Sequence, residues 1–279
     1  MDKSIFLFFS GTAGAGKNTV IDNLIERNGN NFVFLNSHTS RAKREDDSKA
    51  GRYNYVTFDE FEKLINEDKI LEYDMINNQY YGISKEEIAK QGKANKVVLK
   101  DLSVKGVMNC KELFKETYPI VGIFLTNSKK TLKERLINRN YPKDQIKSRL
   151  KLYKSEQSKM PFYDFIIYNE DLETTLFQCE AIINHIQNNK QLNIGSTPQV
   201  VTEKLVDKCE KRLRKGKKLT PISAFAYNNE LYIKEGANEF LAHLRMKKEF
   251  PIYLVSAPKN FQPNNDYQIE WEKLVGLFN

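Results

Sequence analysis

The sequence predicts an α/β fold, a parallel sheet with helices on both faces, and three observations lead there. Over residues 1 to about 187, short apolar runs alternate with amphipathic stretches, the pattern of strands joined by helical crossovers. A glycine-rich loop ending in lysine stands between the first apolar run and the first amphipathic stretch. The chain has 279 residues, 40% hydrophobic and 29% charged, so it can bury a core without disulfide or metal staples, and disorder of the whole chain is excluded.

In chain order, the strand-like runs are 5–9, 32–36, 96–99, 120–125 and 165–168. Helical patterns are predicted over 19–27, 58–67, 85–91, 128–138, 144–160 and 172–188, the last from Leu176, Ile182, Ile183 and Ile186 near helical spacing. Residues 188–199 are polar, interrupted by Gly195 and Pro198, and read as a linker. A small α+β domain is expected over 200–279: a helix at 200–214 running into R-L-R-K-G-K-K, strands at 221–226 and 231–234 around a turn at Asn228 and Asn229, a helix at 237–247 and a strand at 252–255.

Lys and Arg number 44 against 36 Asp and Glu, a net charge of +8, which favours phosphate-bearing partners. Cys110, Cys179 and Cys209 are far apart and odd in number, so free thiols in a reducing cytoplasm are expected. The run 5–9 is shorter than a signal-peptide core, and nothing approaches a membrane span. His38, His185 and His243 share no metal-ligand spacing.

The text G-T-A-G-A-G-K-N-T runs from Gly11 to Thr19. Glycines let successive N–H groups of Gly14, Ala15 and Gly16 point at one anion, the following helix adds its positive end, and Lys17 supplies a mobile charge for β and γ phosphates. Asn18 stands where the strict motif has a Ser or Thr for Mg²⁺. The spacing G-x-x-G-x-G-K-x-T resembles nucleoside monophosphate kinases, which implies that Thr19 contacts nucleotide phosphate. The expected cofactor is Mg²⁺ carried by ATP, with no protein ligand assigned to it.

Further on stand S-H-T-S-R-A-K-R-E from Ser37, G-R-Y-N-Y-V-T-F from Gly51, I-L-E-Y from Ile70 and Q-Y-Y-G from Gln79. Their order and spacing resemble guanylate kinases over residues 4–187. The resemblance implies an acceptor-binding subdomain at about 37–92 and a lid at about 135–160. It also implies a GMP site of Ser37, Arg41, Arg44, Tyr53, Glu72, Tyr81 and Asp101. Arg41 and Arg44 form a fork for the acceptor phosphate, Tyr53 and Tyr81 add hydroxyls, and Glu72 accepts from guanine N1–H and N2–H₂. Two departures bear on base choice: Ile83 follows Y-Y-G where the family has Ser or Thr, and K-D-L-S-V-K-G from Lys100 stands for L-D-x-D-x-Q-G, with Ser103 in place of the second acid.

Arg135, Arg139 and Arg149 match the arginines of the family's lid and would neutralise the transferring phosphoryl group. Asn169 would lie by resemblance near the ATP base. The implied activity is transfer of the ATP γ-phosphoryl group to GMP or dGMP; the alternatives are a non-catalytic nucleotide- or partner-binding module and a monophosphate kinase of altered base specificity. Residues 216–255 faintly resemble the ParB-like fold, with a packing or oligomerisation appendage as the alternative, and the basic stretch 204–218 reads as a solvated helix face or as a place for nucleic acid.

Overall fold

The computed structural model describes residues 3–43, 51–76, 78–114, 116–188, 193–194, 201–248, 250–259 and 261. Arg44, most of the expected linker and residues 262–279 lie outside the described residues. The chain forms two compact units, one of Met1–Ser10 with Lys17–Gly122 and the other of Gly11–Gly16 with Ile123–Asn279.

In the first unit, β1 (Ile5–Gly11), α1 (Lys17–Asn28), β2 (Phe32–Phe34), β3 (Ser37–Thr39), β4 (Tyr53–Tyr55) and α2 (Phe58–Asn66) follow one another. Next come β5 (Ile70–Ile76), β6 (Gln79–Ser84), α3 (Lys85–Gly92), β7 (Val97–Asp101) and α4 (Val104–Phe114). β7 pairs in parallel with β1, Ile5 opposite Val97, and with β2, Phe34 opposite Leu99. β1 reads I-F-L-F-F without polar alternation because both of its faces are covered: Phe6, Leu7, Phe8 and Phe9 are fully buried. α1 turns Val20, Ile21 and Leu24 inward.

A second, four-stranded mixed sheet in the order β4-β3-β6-β5 lies within residues 37–84. Thr57 starts α2 with a capping box, accepting from Glu60 N while the Glu60 carboxylate accepts from Thr57 N. Neither this sheet nor α4 is foreshadowed by periodicity. β3 and β4 are three residues each and read S-H-T and Y-N-Y, too short and polar to show alternation.

The second unit contains most of β8 (Ile120–Thr126), then α5 (Lys129–Asn138), α6 (Lys143–Lys151), α7 (Tyr153–Gln157), β9 (Phe165–Tyr168) and α8 (Leu172–Gln187). After them come β10 (Asn193–Ile194), α9 (Glu203–Arg214), β11 (Ile222–Tyr227), β12 (Glu230–Glu235), α10 (Ala237–Arg245) and β13 (Ile252–Leu254). The helix expected over 144–160 is interrupted at Leu152.

The strands of the tail join the sheet of the second unit. β13 lies parallel between β9 and β11, with Ile252 opposite both Phe165 and Ile222, β12 is antiparallel to β11, and β10 pairs with β12 from inside the expected linker. The reason is the edge of β9, whose backbone groups need a partner that β13 provides. Arg245 of α10 joins Asp207 and Glu210 of α9 at 3.1 and 3.3 Å. Among the described residues, no helix is long and apolar enough to cross a membrane.

Candidate active site

Within the first unit a cavity of about 380 Å³ is lined by the mixed sheet, the end of β7 and the start of α1. It gathers seven of the expected site residues, Lys17, Asn18, Ser37, Tyr53, Glu72, Tyr81 and Asp101, with the two departures Ile83 and Ser103. Strand register explains the grouping, since Ser37 faces Tyr53 across β3–β4 while Thr39 faces Tyr81 across β3–β6. The rings of Tyr53 and Tyr81 meet edge-on at 6.1 Å. Arg41 is not on this wall. Its guanidinium stands 5.3 Å from the centre of the Tyr53 ring and donates to Ala42 O at 2.9 Å.

The wall carries two cations that the sequence reading missed, Arg52 and Lys100. They stand 4.5 and 4.4 Å from the centre of the Phe34 ring. Arg52 pairs with Asp22 of α1. Lys100, its side chain only 8% exposed, has its ammonium 3.3 Å from Asp101 Oδ1. Burial pushes the Lys100 pKa down, and the Asp101 carboxylate opposes that shift. A lysine at the end of an apolar strand, where the family pattern has leucine, was the available signal.

Glu72 projects from β5, and its Oε2 accepts from the Ser103 hydroxyl at 2.8 Å. Ser103 in turn accepts from Gly106 N at 3.1 Å, which caps the start of α4. Glycine at 106 leaves room for the Glu72 carboxylate, whose carboxyl carbon a Cβ there would meet at 2.2 Å. Burial raises the Glu72 pKa; the Ser103 hydrogen bond, Lys105 and Lys100 pull it back, and Asp74 adds to the rise. Ile83 lies opposite Glu72 and is 2% exposed, so it offers carbon where a hydroxyl is usual in the family. Ser84 is not on the cavity wall; its hydroxyl accepts from Glu87 N at 3.1 Å and caps α3.

In the second unit the glycine loop is held from behind. Gly16 has φ +92°, and a Cβ there would stand 2.6 Å from Asn169 Nδ2, so glycine serves both the left-handed backbone and the close approach. Asn169 Nδ2 donates to Ala15 O at 2.7 Å while its Oδ1 accepts from Thr175 at 3.0 Å. Arg135 donates to Asn127 Oδ1 at 3.1 Å and Asn169 O at 2.7 Å, and reaches Ala15 O at 3.4 Å. Burial, with Arg139 nearby, lowers the Arg135 pKa. Ala13 N donates to Glu156 of α7 at 3.3 Å. Arg139 is exposed at the end of α5, and Arg149 stands 4.5 Å from the centre of the Tyr141 ring. Thr19 is exposed on α1, where its carbonyl accepts from Asn23.

A glycine loop latched through its backbone, a lysine-headed helix and a pocket with a carboxylate on its wall are together the pattern of nucleoside monophosphate kinases. The family model for guanylate kinase matches residues 3–186. The guanylate kinase of Wigglesworthia glossinidia brevipalpis is 34% identical over 194 residues, 68% of this chain and 91% of that protein. That of Pseudoalteromonas translucida is 34% identical over 175 residues, 62% of this chain and 84% of that protein. That of Campylobacter jejuni strain RM1221 is 30% identical over 200 residues, 71% of this chain and 97% of that protein. The chain belongs to the guanylate kinase family. Among solved structures, the guanylate kinase from Anaplasma phagocytophilum aligns with TM-score 0.49 at 24% identity, over 67% of this chain and 87% of that one.

Proposed function

We propose that the chain transfers the γ-phosphoryl group of Mg·ATP to GMP or dGMP, giving ADP and the guanosine diphosphate. The observation that carries the acceptor side is the Glu72 carboxylate, held by Ser103 on the wall of a cavity in a chain of this family. A carboxylate accepts from guanine N1–H and N2–H₂ and is repelled by the N1 lone pair of adenine. Ser37, Tyr53 and Tyr81 offer hydroxyls to the acceptor, while Arg52 and Lys100 add positive charge to the same wall. Arg41 and Arg44 are assigned to the acceptor phosphate by resemblance.

On the donor side, Lys17 and the loop amides between Gly11 and Gly16 stabilise the phosphates. Arg139 and Arg149 bring charge to the transferring group, and Arg135 keeps its charge beside the loop backbone. The protein needs no nucleophile of its own, because positioning and electrostatics supply most of the rate. Mg²⁺ would enter with ATP and supply positive charge to the transferring phosphate; Asn18 and Asp101, on the cavity wall, would offer it oxygens. A reducing cytoplasm fits three buried free cysteines.

A coupled ADP-release assay over GMP, dGMP, AMP, CMP and UMP tests the proposal. GMP and dGMP are expected to turn over and AMP to fail, and no turnover with any of the five overturns it. Lys17→Met should lower kcat by about 10²–10³-fold with unchanged thermal stability. An unchanged kcat would remove the loop from the mechanism.

A further inference from the structure

We infer that Ser103 is a positioning residue of the acceptor site, its hydroxyl holding the Glu72 carboxylate in the orientation from which it reads guanine. This rests on the reading of Glu72 given above. A glutamate on a strand has no fixed carboxylate plane, because its last torsion is broad. Here that freedom is removed from outside the strand. Ser103 Oγ accepts from Gly106 N at 3.1 Å, so its single proton is left to go to Glu72 Oε2, at 2.8 Å. The polarity of the hydroxyl is thereby fixed, with the helix donating in and the carboxylate receiving.

The other two sides of the carboxylate fit this arrangement. Gly106 presents no side chain, which lets the carboxylate rest on the first turn of α4, the positive end of the helix. Glu72 Oε1 has no hydrogen-bond partner among the described residues, and Oε2 keeps an unused lone pair, so both oxygens remain able to accept from a base. The family pattern has an acid at this position. An ionised acid would face the nucleoside as a second acceptor and could donate nothing to Glu72. Serine changes the chemistry of the position from acceptor to donor, and the base reading is left to one carboxylate held by one hydroxyl.

The hydrogen bond favours the ionised carboxylate, which sets the direction of the test. GMP kinetics at saturating ATP would be followed across the acid range for the parent, Ser103→Ala, Ser103→Gly and Ser103→Thr. Ser103→Ala should raise KM for GMP about tenfold with kcat nearly unchanged, and move the acid limb of kcat/KM to higher pH. Ser103→Thr keeps a hydroxyl and should restore both. Loss of the α4 cap lowers thermal stability in Ser103→Ala, so Ser103→Gly separates the effects: glycine is tolerated at a helix start and should keep the stability while showing the same KM and pH shift.

If Ser103→Ala loses stability while both Ser103→Ala and Ser103→Gly keep the parent KM and acid limb, Ser103 is only a helix cap and the inference is overturned. Glu72→Gln distinguishes the two levels of failure. Parent-like GMP use by Glu72→Gln defeats the base reading itself, whereas loss of GMP use there, with Ser103→Ala unchanged, defeats only the role of Ser103.

Discussion

The glycine loop and the acceptor pocket are held in different ways. The loop is fixed through its backbone: Ala15 O receives Asn169 and Arg135, and Ala13 N is taken up by Glu156. Its geometry is set before a ligand arrives, and no loop side chain is needed for that. The pocket instead positions side chains on side chains, Ser103 on Glu72, Asp101 on Lys100, and Arg52 with Lys100 against Phe34. Backbone latching suits phosphate, which any ring of N–H groups can bind, whereas reading a base requires particular atoms at particular angles. The two regions should therefore respond differently to substitution, with donor KM following the latches and acceptor KM following the carboxylate.

The largest test is Gly106→Ala. The added methyl meets only the far end of the flexible Glu72 side chain, so stability should change little while the carboxylate is displaced. Kinetics with GMP varied should show kcat/KM falling by roughly 10²-fold, the loss of a hydrogen bond to a charged group. KM for ATP should stay at the parent value; a parallel rise would mean that the two regions are not separable.

pH comes next. Burial lifts Glu72 above the ordinary carboxylate value of 4.5, and guanine needs the ionised form, so kcat/KM for GMP should fall about tenfold per pH unit below that raised pKa. Stability moves the other way. A carboxyl that binds its proton more tightly in the fold contributes fully to stability below its unfolded pKa, and that contribution is lost as pH rises through the folded value. Denaturant unfolding of Glu72→Gln beside the parent would isolate it, because the variant lacks this dependence.

A smaller effect is expected from Asn169→Ala. It leaves Ala15 O and the Thr175 hydroxyl without a partner they now have, at about 1–3 kcal/mol in stability. KM for ATP should rise about five- to tenfold with KM for GMP unmoved, measured by varying each substrate in turn. The smallest change is a gain. Ile83→Thr should improve kcat/KM for GMP about fivefold by giving the base a hydroxyl, since Ser84 is not on the cavity wall. If another monophosphate benefits instead, Ile83 is packing against a different base.

The legible part of the molecule is its local part. The phosphate loop is nine consecutive residues from Gly11 to Thr19, and the buried strand 5–9 announces itself by being apolar at every position. Ser37, Tyr53, Glu72 and Tyr81 could be named because they fall into spaced motifs in chain order, and the structure brings all four to one cavity. The placement of Arg41 against Tyr53 depends on the turn after β3, which no spacing records. α4 was illegible because the β-branched Val104 and Val107 serve a strand as readily as a helix, and without α4 Ser103 looked only like a missing acid.

By itself, then, the sequence determined the glycine loop, the alternation of buried strands with helices, and most of the residue types that line the cavity, since all of these are written within a few residues of chain. Tertiary structure alone decided which groups hold them. Ser103 meets Glu72 across 31 residues and Asn169 meets Ala15 across 154, and β13 is drawn to β9 by an open strand edge rather than by a motif. Hydrogen bonds and strand edges act over a few ångströms of space and are indifferent to distance along the chain. The residues that tune this site therefore became visible only once the fold had brought them together.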